Sequence, residues 1–180
     1  MHLHQIQVTY RPDEDRILCR ASFKAADGGF QELRAWLTRR LTRLFWAGII
    51  DALEKQIALD KPQASHASAD IVGMEYHASI EEARNSGSFG TPYKSEEIAT
   101  FPLGETPILV SSINFSLNAG QPIRVNLTPA TGSGFEIAFS QQVLHSFCSL
   151  LREAVSKAEW DLELHMPGTS PAIAGSRVLN

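Results

Sequence analysis

Residues 36–50 read WLTRRLTRLFWAGII, and the fold turns on where in this stretch one periodicity gives way to another. Phe30 through Trp36 reads as a third strand or an early helix entry, and the Gly28-Gly29 pair before it, which suits a hairpin and starts a helix poorly, favours the strand. From Thr38 onward Leu41, Leu44, Phe45, Ile49, Ala52 and Leu53 recur at three and four, the period of a helix with one buried stripe. The stretch predicts a strand over 30–36 and a helix running to about Asp60. Thr38 is placed to cap that helix, its hydroxyl accepting from a backbone N–H that has no partner within the helix. At about 100° per residue, Arg39, Arg40 and Arg43 fall opposite Leu41, Leu44 and Phe45, on the exposed back of the first turns. Trp46, Ile50, Leu53 and Ile57 fall on or beside that same back, so the later turns are apolar nearly all round and need a cover.

Working outward, QIQVTY (5–10) alternates with Ile6, Val8 and Tyr10 on one face, and RPDED (11–15) is a turn. RILCRASF (16–23) puts Ile17, Cys19, Ala21 and Phe23 on one face and Arg16, Arg20 and Ser22 on the other. The Gly28-Gly29 pair suits a hairpin into the next strand. Beyond the helix, Pro62 in the polar run 60–70 prevents its unbent continuation. A second helix is predicted from about Asp70 to Arg84, with Gly73 inside it, and supplies the cover. Residues 85–106 form a loop longer than most connections, and its Phe89, Tyr93 and Phe101 are candidate contact residues. Alternation returns in ILVSSINFSL (108–117), IRVNL (123–127) and FEIAF (135–139). Ser140 then caps a last helix whose stripe is Val143, Leu144, Phe147, Cys148, Leu151, Ala154, Val155 and Ala158. The tail 165–180 has no periodicity and is expected to be disordered. The fold class expected is a single α+β domain over 1–164. It has an antiparallel sheet or sandwich of about six strands, a helical and loop insertion over 61–107, and a packed C-terminal helix.

Both ends of the chain read strand, strand, strand, helix, over 3–60 and 108–161. Ile6, Val8 and Tyr10 match Ile113, Phe115 and Leu117 at an offset of 107, and Ile17, Cys19 and Ala21 match Ile123, Val125 and Leu127 at 106. In the helices Thr38, Leu41, Phe45, Ile49, Ala52 and Leu53 match Ser140, Val143, Phe147, Leu151, Ala154 and Val155 at 102. An internal repeat of a β-β-β-α unit is the expectation, the halves meeting about a pseudo-twofold axis.

At 43% hydrophobic residues the chain can bury a substantial core. Its net charge of −4 gives no bulk attraction to polyanions, so a nucleic-acid surface would have to be a local patch. Arg34, Arg39, Arg40 and Arg43 are the candidate anion or partner patch. Cations in a helix's first turn oppose its macrodipole, and Asp13, Glu14, Asp15 and Glu32 are near enough in sequence to offset them. A membrane-surface helix is disfavoured because the best apolar face belongs to the core. The two cysteines, Cys19 and Cys148, read as buried thiols in a reducing compartment. With neither a signal-peptide pattern at the start nor an apolar run of membrane-spanning length, a soluble cytoplasmic protein is expected.

No chemistry-bearing constellation emerges. His2 and His4 alternate on a strand without carboxylate or thiol partners at a metal-site spacing. PDED (12–15) is an acidic turn lacking the calcium-loop pattern. Glu81–Glu82 and Glu96–Glu97 are adjacent pairs whose members diverge, and TGSGFE (131–136) joins strands instead of opening a helix, as a phosphate cradle would. No catalytic residue, metal site or cofactor is assigned.

RAWLTRRLTRLFW (34–46) resembles a phrase of small bacterial proteins of unknown function, and implies no activity. The order of elements over 3–164 is similar to the head domains of the DNA end-joining scaffold that partners a ligase and of the centriolar cartwheel protein. That resemblance implies an assembly module, carries over no site residue, and lacks the long coiled coil that follows those heads. The leading expectation is a protein-interaction or assembly module whose partner is another protein or a second copy. The alternatives are a nucleic-acid-associated protein using the arginines, and an enzyme or small-ligand protein with a pocket under the 85–106 loop.

Overall fold

Two three-stranded meanders joined edge to edge, with one short extra strand beside the first, make a seven-stranded sheet, and three helices complete an α+β fold. The structure, a computed structural model, describes residues 2–26, 28–87 and 90–168. The first meander is β1 (His2–Arg11), β2 (Arg16–Lys24) and β3 (Phe30–Leu37). Then come α1 (Arg39–Asp60), a 3-10 turn over Pro62–Ala67, and α2 (Ser68–Asn85). A short strand β4 (Ile98–Thr100) precedes the second meander of β5 (Ile108–Ser116), β6 (Ile123–Pro129) and β7 (Phe135–Phe139), and α3 (Gln141–Ala158) follows.

The strand order is β1-β2-β3-β5-β6-β7, with β4 also pairing β3. Within each meander the ladders are antiparallel, as alternation with short turns predicts. The joint differs from the antiparallel expectation: β5 meets β3 in parallel, through only Ala35↔Ile108 and Trp36↔Leu109, and β4 is parallel to β3 as well. A parallel neighbour needs a long crossover, which the insertion carrying α1 and α2 provides.

The inward faces of both meanders supply Ile17, Ala21, Leu33, Leu37, Val125, Leu127, Ile137 and Phe139 to one core, closed by Phe45 and Ile49 of α1 and Phe147 and Leu151 of α3. Thr38 and Ser140 cap their helices alike, each hydroxyl accepting from the backbone N–H three residues on at 3.3 Å. α1 runs alongside β5 in the same direction. Gly48 lies against Phe115, the Gln56 side chain donates to the Asn118 carbonyl at 2.8 Å, and Asp60 accepts from the Gly120 N–H at 2.6 Å. α3 packs chiefly on β1. Each helix therefore covers the first strand of the opposite meander.

Two expectations need correction. Leu44 is not a core residue but is 52% exposed, while Trp46 on the back is covered, as expected, though not by α2 alone. The cause is the cover. Besides α2, the segment after α3 crosses α1, and Trp46 donates its indole N–H to the His165 carbonyl at 3.0 Å. That segment is the second correction, because order does not stop at 164: Met166 is 3% exposed. Gly73 explains the approach, since a Cβ there would stand 2.5 Å from the Pro167 carbonyl oxygen. Residues 169–180, the rest of the tail expected to be disordered, lie outside the described residues, as does Phe89.

Candidate functional site

The outward face of the first meander is polar by register. Ser22 stands opposite Glu32, and Arg20 opposite Arg34, with Gln5 and Gln7 completing the two rows on β1. The Glu32 carboxylate has no solvent exposure. Burying a lone carboxylate is costly, so it must collect donors. It accepts from Arg20 Nε at 3.1 Å and Nη2 at 2.9 Å, from Arg34 Nε, and from the Tyr93 hydroxyl at 2.7 Å. Burial pushes the Glu32 pKa up, but these hydrogen bonds and the Arg20 charge together hold it below the ordinary carboxyl range. Burial, and then Glu32, push the Tyr93 phenol well up.

Through this hub the 90–105 segment is strapped across the sheet. The Arg20 guanidinium lies over the Tyr93 ring at 4.3 Å and that of Arg34 over Phe101 at 4.4 Å. Arg20 also donates to the Ser95 hydroxyl, and Arg34 to the Glu105 carbonyl at 2.9 Å. Gln5 binds the strap backbone with both ends of its amide, donating to the Pro92 carbonyl and accepting from the Lys94 N–H, each at 3.1 Å. The carboxylate's lone pairs are spent on four donors, so the arrangement clamps and offers little to a substrate.

The structure thus divides the arginine patch expected from the sequence. Arg34 is locked on Glu32 and belongs with Tyr93 and Phe101. Arg39 leans toward Asp15, whose pKa it helps lower behind the hydrogen bonds from Trp160 and Tyr10, and donates to the Asp161 carbonyl. Arg40 and Arg43 are exposed and have no ion-pair partner among the described residues. The first turn of α1 has no acidic residue. Sequence reading missed Arg20, Ser22 and Glu32, although a hairpin at Gly28-Gly29 fixes the register that aligns them.

The two cavities of note lie elsewhere than under the strap. One is an apolar void of about 20 Å³ inside the core, beside Phe45, Val125 and Phe147. The other is an open groove of about 530 Å³ between α2 and α3, lined by Tyr76, His77, Arg84 and Arg152 among others. Nearby, His145 is fully buried, neither ring nitrogen hydrogen-bonded, with the equally unpaired Glu75 Oε2 at 3.9 Å. Burial pushes its pKa down, while Glu75 pulls the other way. The thiols are free, and burial raises both pKa values, that of Cys19 to about 12. The His4 ring sits on Phe30 at 4.5 Å, and no group of three metal-ligating side chains occurs among the described residues. None of the helices described is long and apolar enough to cross a membrane. Comparison of the chain with family models, curated proteins and solved structures finds no match.

Proposed function

We propose that this domain is a protein-interaction or assembly module working through the flank of α1 and the outer start of β5. The carrying observation is apolar side chains left in solvent on each of these elements, Leu109 on the outward face of the sheet and Leu44 on the helix that packs against its inward face. Leu44 is 52% and Leu109 44% exposed. Leu109 continues a register row with half-buried Trp36 and Leu18, and Arg40 and Arg43 stand beside Leu44 on α1. Scattered exposed leucines are ordinary, but Leu109 in one row with Trp36 and Leu18 has the composition of an interface centre. The strap supports this reading as a device that rigidifies the same face of the sheet. The partner is a second copy or another protein, and two free thiols fit a cytoplasmic setting.

We also infer that the chain is a duplicated β-β-β-α unit, on the strength of the matching caps and the reciprocal placement of α1 on β5 and α3 on β1. The nucleic-acid reading keeps one supporting observation, the unpaired Arg40 and Arg43, but an exposed Leu44 beside them suits it poorly. The module reading is tested by placing a photo-crosslinking phenylalanine analogue at 44, at 109 and, as control, at exposed 157, in the cells that make the protein. Discrete adducts at 44 and 109 but not at 157 are expected. Equal labelling at all three overturns it.

A further inference from the structure

The geometry points to the groove between α2 and α3 as a binding site for a small phosphorylated molecule, apart from the surface through which the domain meets a partner. The two helices run antiparallel, since Gln142 Nε2 donates to Glu82 at 2.7 Å and Arg152 Nη1 donates to the Tyr76 hydroxyl at 3.1 Å. Tyr76, Ile80 and Arg84 recur every four residues and so share one face of α2. Tyr76 and Ile80 line the groove yet are buried, at 6% and 7% exposed, and they form an aromatic and apolar floor. At about 530 Å³ the groove has the size of a small-molecule site.

The polar groups over this floor are mostly donors. Arg84 enters from α2 and Arg152 from α3; both are exposed, and neither has an ion-pair partner among the described residues. Arg152 spends one N–H on the Tyr76 oxygen, which positions the guanidinium and leaves its other donors for a ligand. The Tyr76 hydroxyl accepts that bond and has no acceptor for its own proton among the described residues. Ser149 adds a hydroxyl and His77 a ring nitrogen. Two carboxylates line the same groove. Glu153 is paired with Lys157 at 2.6 Å, whereas Glu81 has no ion-pair partner among the described residues. A carboxylate ligand has two coplanar oxygens and one charge, which a single guanidinium satisfies. A phosphate monoester has three terminal oxygens and close to two charges, and it suits two guanidiniums, a phenol and a serine. Glu81 repels a bare phosphate and accepts from hydroxyls, so the phosphate is carried on a hydroxylated body.

The test is an NMR titration of the isotope-labelled whole protein with inorganic phosphate, glycerol phosphate, glycerate and a phosphoserine peptide, with chloride holding the ionic strength constant. Glycerol phosphate is expected to move the Arg84, Arg152 and Ser149 resonances along one saturating curve, roughly tenfold tighter than inorganic phosphate or glycerate. Arg84→Gln and Arg152→Gln should each weaken it roughly tenfold, and as exposed positions both should leave the fold intact. Arg124→Gln, on the outward face of the sheet, should leave binding unchanged. Glu81→Gln should tighten inorganic phosphate and so narrow its gap to glycerol phosphate. Shifts spread alike over the surface arginines, affinity kept in both groove variants, or glycerate binding as tightly as glycerol phosphate overturns the inference. Tighter binding of the phosphoserine peptide assigns the phosphate to a protein partner and overturns the small-molecule site. The module reading is decided separately, by the crosslinks at 44 and 109.

Discussion

Phe45 of α1 and Phe147 of α3, which match in the proposed repeat, meet with ring centroids 5.6 Å apart. A contact between these two rings is what the proposed duplication about a twofold axis expects. Both rings are nearly free of solvent, at 2% and 4% exposed. Phe45→Ala and Phe147→Ala should each cost about 3–5 kcal/mol in chemical denaturation, by the usual scale for a buried aromatic truncated to a cavity. Because the two share one contact, the double variant should cost less than the two losses added. A near-neutral result for either ring would remove it from the joint between the halves.

The strap predicts a local effect with a global cost. Glu32→Gln removes the charge that Arg20 and Arg34 bracket, and those arginines keep some solvent, so a loss of about 3 kcal/mol is expected. Tyr93→Phe deletes one hydrogen bond to a charged group and should cost about 1.5 kcal/mol. In hydrogen exchange both variants should speed up residues 92–101 well before the core strands. Protection of the strap unchanged in Glu32→Gln would mean that the hub does not hold it.

Two buried groups set the acid response, at different pH. The folded pKa of Glu32 lies below the ordinary 4.5, so its contribution is full above that value and drains as pH falls through the folded value. The folded pKa of His145 lies below 6.5, so the unfolded chain takes up its proton first, and stability falls as pH drops below about 6.5. Denaturation midpoints across pH should show both steps. His145→Leu should flatten the upper one and Glu32→Gln the lower one. A His145→Leu profile that still falls between pH 6.5 and 5 would place that titration elsewhere.

Gly73 inverts the propensity rule. Alanine in mid-helix is ordinarily worth about 0.8–1 kcal/mol over glycine. Here a Cβ would stand 2.5 Å from the Pro167 carbonyl oxygen and 2.9 Å from Gly168 Cα. Gly73→Ala should therefore destabilise, shift the fluorescence of Trp46 as its bond to the His165 carbonyl is lost, and expose Met166. A stabilised variant with unchanged fluorescence would show that the crossing segment yields easily.

Reversing the free cations should help the isolated protein. Arg40→Glu and Arg43→Glu replace unfavourable with favourable charges near the positive end of α1, and each should add a few tenths to about 1 kcal/mol at low salt. The gain should shrink as salt rises. A loss of stability would show that these arginines have partners in the folded chain.

Periodicity carried most of this fold. The switch near Thr38, both caps and the inward faces of both meanders could be read directly, because burial imposes a period on each element. Three features left no periodic trace. β4 is three residues long, the β3–β5 joint rests on two residue pairs, and Met166 stands in a tail without periodicity. Leu44 fits the helical stripe by spacing, yet it falls at the stripe's edge, where only the tertiary cover decides. The site was half legible. Arg34, Tyr93 and Phe101 were singled out, but Arg34 was grouped with its neighbours in sequence, whereas strand register groups it with Arg20 and Glu32.

The two-pair seam between β3 and β5 also bears on how the chain acquires its shape. Each meander is stitched by local antiparallel ladders, which close quickly because little chain entropy is lost between neighbouring strands. The seam joins residues about seventy apart, and it must wait until α1 and α2 have drawn the second meander back to β3. Folding should thus proceed through two early units and a slow late docking, with Phe45, Phe147 and the seam consolidating last.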